Sequence, residues 1–234
     1  MPGQSRFAEL EPLLDRVTKP IQYVGGELNS QIKDWHCGGF GPDGSELTVR
    51  WALMYPDAYE VGVPNQGVMI LYEVVNERPD ALAERTYSVW PDMEALLRQH
   101  GVPQLTVDAH RSVREFDVFG VSFSTELGYT NFFTALDLAG IPLRSADRSD
   151  EDPIVIAGGH ASFNPEPIAD YVDGVVVGDG EQAALSITHL ISAWKTEGQP
   201  GGRAELLLRL AQSAIVYVPA AYDVTYLPDG RIHR

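Results

Sequence analysis

Cysteine is almost missing from this chain. Cys37 is the single one in 234 residues, which excludes an internal disulfide and any all-cysteine metal cluster. It also fits a reducing, cytoplasmic setting. Basic residues are scarce: 17 against 33 acidic ones, for a formal net charge of −16. Such a field repels phosphate backbones and anionic lipid, so no direct nucleic-acid or membrane contact is expected, and it also favours solubility. No apolar run approaches the roughly 20 residues that span a bilayer. The N-terminus MPGQSRFAELEPLL lacks the charged-then-apolar pattern of a signal peptide. Three chemical motifs are absent as well. There is no phosphate loop and no G-x-S-x-G elbow. Gly178-Asp179-Gly180 lacks the third glycine of a dinucleotide fingerprint, and its acidic neighbours oppose a pyrophosphate.

What is present is an alternation. The chain is 44% hydrophobic, enough for one sizeable core with an appendage. Residues 1–47 read as an N-terminal helix (residues 7–17) and a Gly-rich connection, in which residues 34–45 form a loop tip. Strand-like and helix-like segments then follow. Strands are expected at 49–55, 85–90, 116–124, 154–157 and 175–177, with a short extended piece at 105–107. Helices are expected at 65–77, 92–100, 129–139, 165–171, 181–194 and 204–211. Gly101 and Gly140 are placed to close two of these helices. Residues 214–234 change character and read as strand, loop, strand and turn. The pattern predicts an α/β fold of the flavodoxin-like (Rossmann-like) type, a mostly parallel sheet with helices on both faces, over residues 48–213.

Right-handed crossovers put all the strands' carboxyl ends on one edge, where ligands of such folds bind. Four strand-end segments therefore hold the candidates: residues 56–67, 122–131, 158–167 and 178–182. Glycines Gly67, Gly158, Gly159, Gly178 and Gly180 let a flat or bulky group approach the backbone. Asn65, Ser122, Ser124 and Thr125 offer neutral hydrogen bonds, and Glu181 closes the last segment. Each feature also has an ordinary explanation, as a turn glycine or a helix cap. Their convergence on one edge is what marks a ligand rim. His160 is a possible nitrogen ligand or simply a hydrogen-bonding residue. His110 lies beside Asp108 in VDAH, a spacing that suits either a metal site or a surface pair. No catalytic or metal-ligating residue is assigned.

The runs RWALMYPDAYEVGVPNQG, FDVFGVSFSTELGYTN and IVIAGGHASFNPEPIADYVDGVVVGDGEQ resemble the N-terminal part of a radical S-adenosylmethionine family with an amino-terminal cobalamin-binding-type domain. The resemblance spans roughly residues 20–230, and the run from Gly158 to Glu181 is its most specific part. It implies a flavodoxin-like sheet holding a corrinoid, cobalamin, against its carboxyl edge. Residues 56–67 would then face the lower corrin side, and Ser122, Ser124 and Thr125 would hold the tail. Thr125-Glu126-Leu127 stands where many corrinoid proteins have S-x-L. Gly158-Gly159 would flank the nucleotide tail, and Gly178 to Glu181 would close the edge toward the next domain.

Two departures qualify the resemblance. The D-x-H-x-x-G motif that supplies a lower axial histidine is absent, since the first strand's loop reads PDAYEVG. The C-x3-C-x2-C motif for a 4Fe-4S cluster is absent too, so the cluster and S-adenosylmethionine are expected in a radical domain outside this chain, its principal partner. The leading expectation is a cofactor- or substrate-binding module of a radical enzyme, not catalytic alone. A corrinoid-free docking scaffold is the second reading. A hydrolase or metal site joining His110 and His160 is a third. Tyr217, Tyr222 and Tyr226 are expected on a surface that meets the further domain.

Overall fold

The computed structural model describes residues 2–38, 48–231 and 233. Part of the expected loop tip at 34–45 lies outside them. A helix α1 (Phe7–Leu14) precedes the first strand, β1 (Val49–Ala58). There follow α2 (Tyr59–Gly62), α3 (Gln66–Asn76), β2 (Ala81–Ser88), α4 (Pro91–His100), β3 (Val118–Ser122) and α5 (Tyr129–Ala139). β4 (Ile154–Gly158), β5 (Gly174–Val175), α6 (Gly180–Thr196) and α7 (Gly202–Gln212) complete the order. The five strands form one sheet in the order β2-β1-β3-β4-β5, and every pairing is parallel. The fold is α/β and flavodoxin-like, with its order reversal between β1 and β3.

Side chains alternate across the sheet with the strand period of two. On one face Trp51 and Leu53 of β1, Val118 of β3 and Ile154 and Ile156 of β4 pack beneath α3, α6 and α7. On the other, Ala52, Met54, Phe119, Val121, Val155 and Ala157 pack against α5. A third apolar cluster joins Leu10 and Leu13 of α1 to Met93, Leu96 and Leu97 of α4. Gly101 and Gly140 close α4 and α5 in the left-handed conformation, at φ 66° and 70°.

Four expectations need correction. β2 begins at Ala81 rather than Arg85. Its centre, Glu84-Arg85, is fully buried. Arg85 pairs with Asp108 at 2.7 Å, and Glu84 pairs with Arg111. The segment after β4 holds two short 3-10 turns, His160–Phe163 and Glu166–Ile168, in place of a helix over 165–171, where Pro165 and Pro167 have no N–H to donate. β5 stops at Val175, and Val177 is exposed. Beyond α7 there is no strand among the described residues. Tyr217 makes one antiparallel bridge with Val175, and Pro219 then ends the ladder in a turn, Pro219–Ala221.

The chain's charged groups tie its outer segments down. Asp108 receives Arg85 and Ser30, which binds the N-terminal segment to the β2 edge. Asp173 receives Arg148 at 2.9 Å and Arg203 at 2.5 Å, which fixes α7 to the strand before it.

Candidate functional site

The α3–α6 face of the sheet has a gap where period-two alternation calls for side chains. Val118, Gly120 and Ser122 share that face on β3, and Ile154, Ile156 and Gly158 share it on β4. Gly120 supplies no side chain there. A Cβ on it would lie 3.1 Å from Leu53 Cδ2 and 3.2 Å from the Trp51 ring. Above the gap, α3 and α6 run close together, and a Cβ on Gly180 would lie 3.1 Å from Leu71. The result is a cavity of about 170 Å³ between the sheet and the two helix N-termini. Its walls are Trp51, Leu53, Leu71, Ile156, Val176 and Ile187, and its polar side chains are Ser122, Glu181 and the Trp51 indole. That indole N–H is already donated to Thr188 at 3.0 Å.

Gly67, Ser122, Gly158, Gly159, Gly178, Gly180 and Glu181, all candidates from the strand ends, border this one cavity. It reaches the surface where Gly67, Gly159 and Gly178 are exposed. The glycines differ in kind. Gly159 has φ +92°, and a Cβ there would lie 2.7 Å from the Phe123 carbonyl oxygen, so the backbone itself demands glycine. Gly158 is under no such demand. A Cβ on it would meet only Val176 Cβ, at 4.0 Å, and its φ is not positive. Neither packing nor backbone requires a glycine at 158, and its bare Cα keeps the cavity open.

The other candidates stand apart from the cavity lining. Asn65 caps α3, its Oδ1 accepting from the Val68 N–H at 3.0 Å. Ser124 is exposed and 3.2 Å from the Tyr55 hydroxyl. That contact bridges the ends of β1 and β3 at the order reversal. Thr125 is exposed ahead of a short turn, Glu126–Gly128. His160 is exposed, its ring 6.0 Å from that of Phe163. His110 lies elsewhere, buried against the N-terminal segment with Nε2 2.9 Å from the Tyr23 carbonyl. His110 packs outside β2 while His160 follows β4, with β1 and β3 between them, so the joint His110–His160 site does not form. Among the described residues no group of three or more His, Cys, Asp or Glu side chains is placed to hold a metal ion.

Sequence reasoning missed Gly120 and the apolar walls. Gly120 carried a signal, as an isolated glycine inside the apolar run FDVFGVSFS. The perturbed ionisable groups also lie away from the cavity. Burial raises the Glu84 carboxyl and lowers the Lys195 amine and the His110 imidazole. The cavity lining has no histidine, cysteine, lysine or arginine. Its chemistry is therefore apolar enclosure with few polar side chains.

Size sets what can enter. An apolar cavity of about 150 Å³ holds a benzene ring, whereas pockets enclosing a whole drug-sized ligand run from about 300 Å³ upward. A 170 Å³ cavity thus has room for a single flat ring and is too small to enclose a whole drug-sized molecule. The carboxyl edge presents exposed apolar side chains from successive strand-end segments, namely Val61, Leu127, Phe163 and Val177.

The family described as "Radical SAM proteins, N-terminal" matches residues 67–219, well over half of the chain. The chain belongs to that family. The matched span begins at Gly67 on the cavity's mouth and takes in β3, β4, β5 and both helices that roof the cavity except the first residue of α3. No curated protein and no solved structure matches the chain. In this radical SAM N-terminal domain, no described helix is long and apolar enough to cross a membrane.

Proposed function

We propose that this radical SAM N-terminal domain is a ligand-binding module whose cavity receives the flat, apolar end of a cofactor, with the nucleotide base of a corrinoid as the leading candidate. The observation that carries the reading is Gly158. It is a strand-end glycine that the fold does not require, and it sits on the floor of an apolar cavity at the ligand-binding edge. The residues fit such a group in three respects. Trp51, Leu53 and Ile156 give apolar walls, Ser122 a hydroxyl at the floor, and Leu127 and Phe163 an apolar ledge outside. The β1 loop has no histidine, so a corrinoid would be held without a lower axial imidazole from that loop.

When bound, cobalamin would supply a cobalt centre suited to methyl transfer. The chain's own part would be to enclose the base, keep water from it and leave the reactive face toward a partner. That partner would be a radical domain with its 4Fe-4S cluster and S-adenosylmethionine, so this domain would not catalyse alone. Titration of the purified chain with hydroxocobalamin and methylcobalamin, followed by desalting and absorbance, tests the proposal. Retained cobalamin with a base-off spectrum is expected. A folded chain that retains none would leave a domain that serves only as a docking scaffold.

A further inference from the structure

The four strand-end segments that surround the cavity's mouth, residues 56–67, 122–131, 158–167 and 178–182, contain no lysine or arginine. They carry Asp57, Glu60, Glu126, Glu166, Asp179 and Glu181. Lys19 reaches this edge from the N-terminal segment, but Glu60 holds it at 2.7 Å. Glu181 lines the cavity itself, and Asp179 stands exposed two residues before it. Neither side chain has a hydrogen-bond or ion-pair partner among the described residues.

Helix N-termini ordinarily attract phosphate, through free N–H groups and the helix dipole. Here both helices that frame the mouth have that attraction offset. In α6 the first turn carries Glu181, and Asp179 stands at the N-cap. In α3 the Val68 N–H is taken by Asn65. Of these carboxylates Glu181 lines the cavity and Asp179 stands exposed beside it, while the four segments offer no lysine or arginine to a phosphate and only one imidazole, the exposed His160.

We propose that Asp179 and Glu181 determine the ligand's charge class: the cavity admits an aromatic heterocycle whose arms at the mouth are neutral or cationic, and rejects one carrying a terminal phosphate. This rests on the reading of the cavity as a site for the flat end of a small molecule. A phosphomonoester brings about −1.5 to −2 charges at neutral pH close to two carboxylates, one exposed and one half-buried, and like charges repel there. Corrinoids fall on the permitted side, with neutral amide arms and one diester charge. Mononucleotides, including the flavin mononucleotide that other flavodoxin-like sheets bind, fall on the other.

The test uses a pair of ligands that differ only in that phosphate, 5,6-dimethylbenzimidazole ribonucleoside and its 5′-phosphate. Trp51 lines the cavity, so quenching of tryptophan fluorescence reports filling, and a Trp51→Phe variant assigns the signal. The nucleoside is expected to bind about tenfold more tightly than its phosphate at low salt. The ratio should shrink severalfold at about 0.5 M salt, where charges are screened within a few ångströms. It should also shrink in an Asp179→Asn, Glu181→Gln double variant, through a gain in affinity for the phosphate. Equal affinity for both ligands, or a ratio that the double variant leaves unchanged, overturns the charge assignment while the cavity reading stands. Failure of the nucleoside itself to quench Trp51 overturns the cavity reading and the charge assignment with it.

Discussion

Ser122 and Gly158 are register partners on the neighbouring parallel strands β3 and β4, and both line the same cavity. One residue earlier in alternation on β3 is Gly120, paired with Ile156. The floor of the cavity is therefore a patch of sheet where two glycines and a serine replace the branched side chains that fill the rest of that face. The substitutions most informative about function fall on this patch.

Gly158→Leu should fill the cavity without unfolding the domain, because the nearest atom to a Cβ at that position is 4.0 Å away. Thermal unfolding should place the variant close to the parent, while any ligand held by the cavity is lost.

Gly159→Ala should behave in the opposite way. At φ +92° and ψ −176°, a conformation essentially confined to glycine, the backbone strain alone costs about 1–3 kcal/mol, and the Phe123 carbonyl oxygen lies 2.7 Å from the added Cβ. The backbone clash adds to it. Urea unfolding should show the loss, and an unchanged midpoint would contradict the turn geometry described here.

Asp108→Ala removes the carboxylate that receives Arg85 at 2.7 Å in a site where both side chains are wholly buried. Leaving one buried charge unpaired costs about 3–5 kcal/mol. Denaturant unfolding should show that loss, and limited proteolysis should open the segment around Ser30, which donates to the same carboxylate.

His110 makes stability depend on pH. Burial holds its folded-state value below the ordinary 6.5, so the unfolded chain takes up a proton first as pH falls. The contribution is complete above about 6.5 and is lost progressively as pH drops toward the lower folded value. The residue has φ 55°, a conformation asparagine tolerates. Subtracting the stability profile of His110→Asn from that of the parent, between about pH 7 and 5, should leave a slope of that sign. A flat difference would contradict the burial of a neutral imidazole.

Much of this was legible in the sequence. The alternation of apolar runs and 3.6-period segments announced the parallel sheet, and α5 and its Gly140 cap fall where the pattern puts them. Only the second half of β2 was expected as strand, and Glu84 and Arg85 can lie buried at its centre only because the distant Arg111 and Asp108 pair with them. The strand-end glycines were expected together on one edge, and the parallel pairing of the strands brings them there. The cavity wall was not legible, because Trp51, Leu71 and Val176 come together only through packing of α3 on α6. Nor could sequence separate Gly159, which the backbone requires, from Gly158, which it does not.

The most direct test of the account compares hydroxocobalamin retention by the parent chain and by Gly158→Leu, with both shown to be folded by circular dichroism. The account predicts that the parent keeps cobalamin through desalting and that the variant, equally folded, releases it. Equal retention by the two, or none by the parent, would contradict the cavity over Gly120 and Gly158 as a corrinoid site.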